Sequence, residues 1–456
     1  MGMEQVAVKA GSGWKSKGLV QTIMRTSAAN LLVMVISTLT SIVTARMFGV
    51  AGKGEFSAIL FWPTLLAGLV GFGLPTSLIY NMKNNKDAGI GADFVRAGFL
   101  FQIPVSVVVG VVSWTFLPHW LGNYPDAVVN TARWYTVTML PVLLAVNLIS
   151  ALAQSTGRFN IYNGVRLYIP LFNLVGLLVL WLAGNLNLHL ASGVFLVTSV
   201  AVIVWSLYSI RDSLKIPWFR GLGNRVAAKA LFGYGSKVFG VELLGTLYGQ
   251  FDKLMILSLL TARDLGLYTV VYALSRVFNV VQTAIANVIF PQVTGMDKDK
   301  IIATVGRAFR LSMILMTIVV IPCMFIGRFL MGVLFGAPFL EASTAFYLLS
   351  IECILGGGSW ILASAFNAMG RPDLVLVRQL IALAATIGLF FLLTPLYGLN
   401  GIALALIIGA VIRLAVTLTS MRMVFQVRLR SLMFAGDDFR FLLDRVNAKL
   451  KRRDKR

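Results

Sequence analysis

Asp252, Lys253 and Arg276 stand within two apolar runs, residues 236–260 and 266–290, where a membrane helix should carry no charge. The short polar tip Thr261-Ala262-Arg263-Asp264 between the runs predicts an antiparallel pair of helices. At about 1.5 Å of rise per residue, Asp252 and Arg276 each lie roughly 15–20 Å from that tip. That depth is close to the middle of a hydrocarbon layer ~30 Å thick. Placing a charge there costs from about 2.5 to about 17 kcal/mol, so such side chains face a partner or a water-filled cavity. Guanidinium groups at that depth suit a diphosphate, which they can grip with paired N–H donors. A carboxylate suits a counter-ion or a titrating site for ion coupling.

Three more charges share this setting: Glu242, Glu352 and Arg413. Arg276 and Arg413 each fall roughly 20 Å into their helices from the outer end, too deep for an easy snorkel. The candidate cavity residues are therefore Arg276, Arg413, Asp252, Glu352 and Lys253, with Arg25 where the first helix enters the membrane. Asp252 and Glu352 are also the candidates for coupling. Two plainer readings stand beside these. Arg276 could pair with Asp252 or Glu352 only to lock helices together, and Arg25, like Lys237, could simply snorkel to the interface. The triplet Gly356-Gly357-Gly358 is the candidate hinge, since breaks in membrane helices often mark bending elements.

Other chemistry finds little support. Cys323 and Cys353 fall inside apolar runs without a partner motif, and His119 and His189 form no cluster, so neither a disulfide framework nor a metal site is expected. Asp297-Lys298-Asp299 is a paired carboxylate of the kind a metal-dependent glycosyltransferase uses, yet it sits in a short loop with no soluble domain around it. No Walker motif is present, and no cofactor is expected.

The elements that must position these residues are membrane helices. Hydrophobic residues make up 58% of the 456, charged residues 13%, and the mean hydropathy is +0.82. Soluble domains carry about a quarter charged residues. The net charge of +22 would suggest nucleic acid in a soluble chain, but here the basic residues follow membrane topology. About twelve apolar runs are long enough to cross. Lys and Arg concentrate in alternate connections, around Lys83, Arg158, Arg220 and Lys298 and at Arg371 and Arg378, and in the segments before Thr26 and after Arg422. That bias predicts both termini in the cytoplasm. The run from about Thr26 to Ala45 is too long for a signal peptide and reads as an uncleaved first helix.

Boundaries follow: a cytoplasmic segment 1–19, an N-lobe of six helices 20–210, a linker 211–235, a C-lobe of six helices 236–423 and a basic tail 424–456. In the linker, Lys215 to Gly223 followed by Asn224 to Phe232 suggests a short amphipathic helix on the inner membrane surface. In the tail, Phe439, Leu442, Leu443, Val446 and Leu450 fall at helical spacing and favour attachment to an anionic inner leaflet.

The two halves repeat each other. Gly54-Glu-Phe matches Gly266-Leu-Tyr, Gly157-Arg158 matches Gly370-Arg371, and Gly184 matches Gly398, all at nearly one offset. Both halves begin on the same side, so the repeat is parallel, with its pseudo-two-fold along the membrane normal and a cleft between lobes. The charges do not repeat. Opposite Asp252, Lys253, Arg276, Glu352 and Arg413 stand Thr40, Ser41, Thr64, Met139 and Val200.

This architecture, together with Ala45-Arg-Met-Phe-Gly49, Phe251-Asp-Lys253 and the paired Gly-Arg landmarks, resembles the bacterial polysaccharide and O-antigen flippases. These belong to the multidrug/oligosaccharidyl-lipid/polysaccharide exporter superfamily, and the resemblance covers roughly residues 20–423. It implies an all-α, V-shaped, two-lobed fold in the bacterial inner membrane. It implies a non-enzymatic carrier of undecaprenyl-diphosphate-linked oligosaccharide working by alternating access, alongside other membrane proteins of polysaccharide assembly. A drug or cation exporter of the same superfamily is the alternative, but the interior of the first six helices lacks the carboxylates that cationic drugs require. A membrane polymerase or glycosyltransferase is a more distant one.

Overall fold

The computed structural model describes residues 16–84, 88–214, 225–293, 296–427 and 432. The tail helix expected after Arg422 therefore lies outside the described residues. Every regular element described is helical: α1 (Ser16–Val70), α2 (Leu74–Asn84), α3 (Ala88–Trp120), α4 (Asp126–Ser155), α5 (Phe159–Leu182), α6 (Leu188–Leu214), α7 (Arg225–Leu259), α8 (Ala262–Arg276), α9 (Asn279–Val293), α10 (Lys298–Leu334), α11 (Ser343–Ala368) and α12 (Pro372–Phe425), with a 3₁₀ turn at Ala337–Ala342.

Among the described residues, eight helical stretches are long and apolar enough to cross a membrane. Two of them are doubled. α1 turns at Gly49 and α12 at Gly398, both with positive φ. In α12 a side chain on Gly409 would overlap Thr386, a residue that a straight helix would place about 35 Å away. In α1, Lys53 Nζ donates to Thr44 Oγ1 at 2.6 Å across the turn. Ten passages result. Two further passages among the described residues, the long α7 and the broken pair α8–α9, bring the number to twelve; α8 and α9, at 15 residues each, are too short to cross singly. These are the helices that the misplaced charges marked.

The second passage of each half is interrupted. In the N-lobe the break falls at Gly71-Phe72-Gly73, between α1 and α2; in the C-lobe it falls at Val277-Phe278, between α8 and α9. The landmarks of the repeat also take matching backbones. Gly157 (φ 73) and Gly370 (φ 71) each end a helix in the left-handed region. Arg158 N–H then reaches back to Ala153 O, and Arg371 N–H to Phe366 O, both at 2.8 Å. This is a Schellman closure, and glycine adopts its φ without steric cost.

Gly54 and Gly266 meet across the lobes. A side chain on Gly54 would overlap the Ala262 carbonyl, and one on Gly266 would overlap the Val50 carbonyl. The contact is reciprocal, as a pseudo-two-fold between α1 and α8 requires. Ala58, Ile59, Trp62, Leu65, Leu267, Tyr268 and Val271 continue it as one buried apolar cluster. Arg46 adds a polar clamp here, donating to Leu334 O at 2.8 Å and to Val333 O at the end of α10. Toward the other end, α2 lies on α7. Tyr80 stacks on Tyr234 at 3.9 Å, Phe72 stacks on Phe239, and Thr76 donates to Glu242 Oε1 at 2.6 Å.

Two sequence expectations change. Arg225 to Phe232 is not a separate helix but forms the first turns of α7, with Ala227 and Leu231 buried against Leu74, Leu78 and Phe94 of the N-lobe, while Lys215 to Asn224 lie outside the described residues. Arg378 is not a loop residue. It is buried within α12, donating to Ser359 O and Oγ at 2.9 and 2.8 Å.

Candidate functional site

The C-lobe charges fall into two groups. The first is built where α8 ends. Arg276 is the last residue of α8, a position where a cation complements the partial negative charge of the helix C-terminus. Its Nη1 lies 2.9 Å from Glu352 Oε2, close enough for an ion pair although out of line for a hydrogen bond. Arg413, from the second passage of α12, donates through Nη2 to Glu352 Oε1 at 3.0 Å. Glu352 on α11 thus bridges two guanidiniums and is only 3% exposed. Each guanidinium also covers an aromatic face, Arg276 over Tyr272 at 4.6 Å and Arg413 over Tyr248 at 4.7 Å. Both are held by carboxylate and ring together.

Arg378 extends this group. Its Nη1 lies 3.5 Å from Thr417 Oγ1, and that hydroxyl donates to Arg413 O at 2.6 Å. Two guanidiniums therefore flank one carboxylate, and a third is linked to Arg413 through Thr417. Arg276 and Arg413 border a cavity of about 180 Å³ that is lined also by Asn279, Gln282, Glu352 and Trp360. Asn279 and Gln282 belong to the first turn of α9, so a helix N-terminus opens on the same cavity as the arginines. Backbone N–H groups at such an end favour anions, and a discontinuous membrane helix is a recurrent way to place them at mid-depth.

The second group lies nearer the α7–α8 turn. Asp252 is 5% exposed; it accepts from the Tyr268 hydroxyl and from the Lys253 backbone N–H at 2.8 Å. Lys253 Nζ stands 3.9 Å from Asp252 Oδ1 and bonds Gln250 Oε1 at 3.1 Å. It also lies 4.7 Å from the Tyr272 ring centroid, so Tyr272 carries Lys253 and Arg276 together and joins the two groups. Of the two partners considered for Arg276, the structure selects Glu352.

The glycine triplet has a different setting from the one expected. α11 runs unbroken through it. A side chain on Gly356 would crowd Glu352 Oε1 and Arg413 Nη2, one on Gly357 would overlap the Gln282 amide, and one on Gly358 would meet Met313. In this conformation the glycines let α9, α10 and α12 approach α11, and the interruption beside the charges is at Val277-Phe278. The side chain of Arg25 lies outside the described residues. Among the described residues no group of His, Cys, Asp and Glu is arranged to hold a metal ion.

Sequence reading missed Tyr248, Tyr272, Gln282, Trp360 and the buried place of Arg378. A signal existed for the tyrosines. Tyr248 and Asp252 on α7, and Tyr268, Tyr272 and Arg276 on α8, recur at i, i+4 and so share helix faces.

Comparison with known proteins places the chain. Over 214 residues it is 27% identical to a Haloferax volcanii protein named "Probable low-salt glycan biosynthesis flippase Agl15", a match covering 45% of this chain and 43% of that relative's length. The fold resembles an inward-facing multidrug resistance MATE family transporter of the MOP superfamily, with TM-score 0.72 and 14% identity over 88% of this chain and 95% of that one. It also resembles the lipid II flippase MurJ in an inward closed conformation, with TM-score 0.70 and 15% identity over 94% and 96% of the two chains. The sequence profile of the family described as polysaccharide biosynthesis protein matches residues 39–344, so the chain is a multi-pass membrane protein that belongs to this family and has the two-lobed fold of the MOP exporters.

Proposed function

We propose that this protein is a flippase that carries polyprenyl-diphosphate-linked oligosaccharide, in the form of undecaprenyl-diphosphate repeat units, from the inner to the outer leaflet of a bacterial inner membrane. Both termini are cytoplasmic in this reading, as the distribution of Lys and Arg supports. The named functions of the glycan relative and of the MurJ neighbour support the lipid-linked class of substrate. The observation that carries the proposal is the Arg276–Glu352–Arg413 bridge on a cavity bordered by the first turn of α9. An excess of guanidinium over carboxylate suits a diphosphate and disfavours a cationic drug.

Glu352 has a definite part in this scheme. In the empty site it neutralises two arginines that would otherwise stand as unpaired charges in a low-dielectric setting. An arriving diphosphate competes with it for the same N–H donors. A proton or cation taken up at Glu352, or at Asp252 beside Tyr268, would release or restore the arginines and so couple the cycle to a gradient. The Gly54–Gly266 seam and the Thr76–Glu242 contact are the lobe contacts that alternate during that cycle.

The test is complementation of a deletion strain. Arg276→Ala and Arg413→Ala should abolish surface polysaccharide and accumulate the lipid-linked sugar, with the protein still in the membrane. Normal export by both variants would remove the cavity assignment.

A further inference from the structure

The N-lobe carries an apolar groove that the transport scheme does not use. Ile103, Val107, Gly110, Val111 and Trp114 of α3 line it with Val137 of α4, enclosing about 440 Å³. Ile103, Val107 and Val111 are each about 60% exposed, and so is the neighbouring Val108. A surface this apolar belongs against lipid.

Three features specify what fills the groove. From Ile103 to Trp114 it runs roughly 16 Å along α3, which matches one leaflet of a hydrocarbon layer about 30 Å thick. At the Trp114 end stands Arg133. Its Nε donates to Trp114 O at 2.8 Å and its guanidinium lies 4.4 Å from the Trp114 ring centroid, so the plane is fixed. Among the described residues its two terminal nitrogens meet no acceptor, although the side chain is half-buried. Arg133 and Trp114 both sit roughly 10 Å below the α3–α4 turn, and Trp134 packs edge-on to Trp114 at 4.8 Å. Two tryptophans and an arginine at that level mark the headgroup region.

We infer that this groove is a binding site for one structural phospholipid of the leaflet on the α3–α4 turn side, with its phosphate on the free edge of Arg133 and one acyl chain along α3. The groove length selects an ordinary acyl chain over a long polyprenyl chain, which would run past Ile103. Gly110 leaves the room for the chain, because a Cβ there would find only Val137, at 3.8 Å.

The test is native mass spectrometry of the delipidated protein given phosphatidylglycerol with sixteen-carbon chains. Wild type should hold one phosphatidylglycerol at collision energies that strip the rest. Arg133→Gln removes the phosphate partner and Gly110→Leu fills the groove; each should lower that occupancy at least about tenfold. Val108→Leu, on the same exposed face outside the groove, should leave it unchanged. Retention equal to wild type in Gly110→Leu, whose Cβ meets only Val137 at ordinary contact distance, would overturn the site, as would the absence of a retained lipid in wild type. Preferential retention of undecaprenyl phosphate would overturn the choice of occupant.

Discussion

Glu352→Gln tests the central arrangement most directly. The substitution keeps the shape of the side chain and removes its charge from between Arg276 and Arg413, which lie 2.9 and 3.0 Å from its two oxygens. Removing one partner of a buried ion pair costs about 3–5 kcal/mol, chiefly through the charge left behind. Arg276 retains 29% side-chain exposure, so water relieves part of the penalty and the lower figure applies. The variant should therefore be less stable than wild type by about 3 kcal/mol when empty. A diphosphate supplies the missing negative charge without competing against a carboxylate. Recovery of about 3 kcal/mol corresponds to roughly 100-fold tighter binding. The assay is thermal unfolding in detergent, with and without undecaprenyl diphosphate, together with calorimetric affinity. Wild-type stability combined with unchanged or weaker diphosphate affinity would refute the idea that Glu352 is a displaceable counter-ion.

Four further outcomes follow from the same geometry. Asp252→Asn should leave the substrate site intact and abolish the sensitivity of export to an uncoupler; an unchanged uncoupler response removes Asp252 from coupling. Arg46→Ala deletes the clamp on the Leu334 and Val333 carbonyls, so a cysteine replacing Val50, buried in that seam, should label faster from the side of the α7–α8 turn; equal labelling rates would show that the clamp does not hold that end shut. Thr76→Val removes a hydrogen bond to the Glu242 carboxylate, a type that contributes about 1.5–3 kcal/mol, and should loosen the α2–α7 contact. Its measure is disulfide trapping between cysteines at Tyr80 and Tyr234, and trapping at the wild-type rate would count against it. Gly266→Leu should exclude the closed α1–α8 seam and stop transport while the chain remains in the membrane, whereas retained transport would show that the seam need not close.

Much of the architecture is legible in the chain because lipid restricts the options. With no water to satisfy backbone groups, an apolar run of sufficient length must be a helix. The repeat was legible through glycines, since Gly157 and Gly370 occupy the same left-handed position and no other residue type fits there as cheaply. The break between α8 and α9 was not legible. Val277-Phe278 contains neither glycine nor proline, so nothing local marks it, whereas the triplet at Gly356 carries a strong local signal and yet lies in an unbroken helix. Small residues permit a bend or a close approach with equal ease, and the neighbouring helices decide between them.

The sequence by itself determined how far Asp252, Arg276, Glu352 and Arg413 stand along their apolar runs, because helical rise converts residue number into distance along the helix. That distance says nothing about rotation around a helix or about which helices adjoin. Tertiary structure decided those: it paired Arg276 with Glu352 instead of Asp252, gave Asp252 to Tyr268, brought Arg378 in from an apparent loop, and set the first turn of α9 on the arginine cavity. Pairing at this depth is a matter of a few ångströms between side chains from four helices, and only the packing of those helices fixes it.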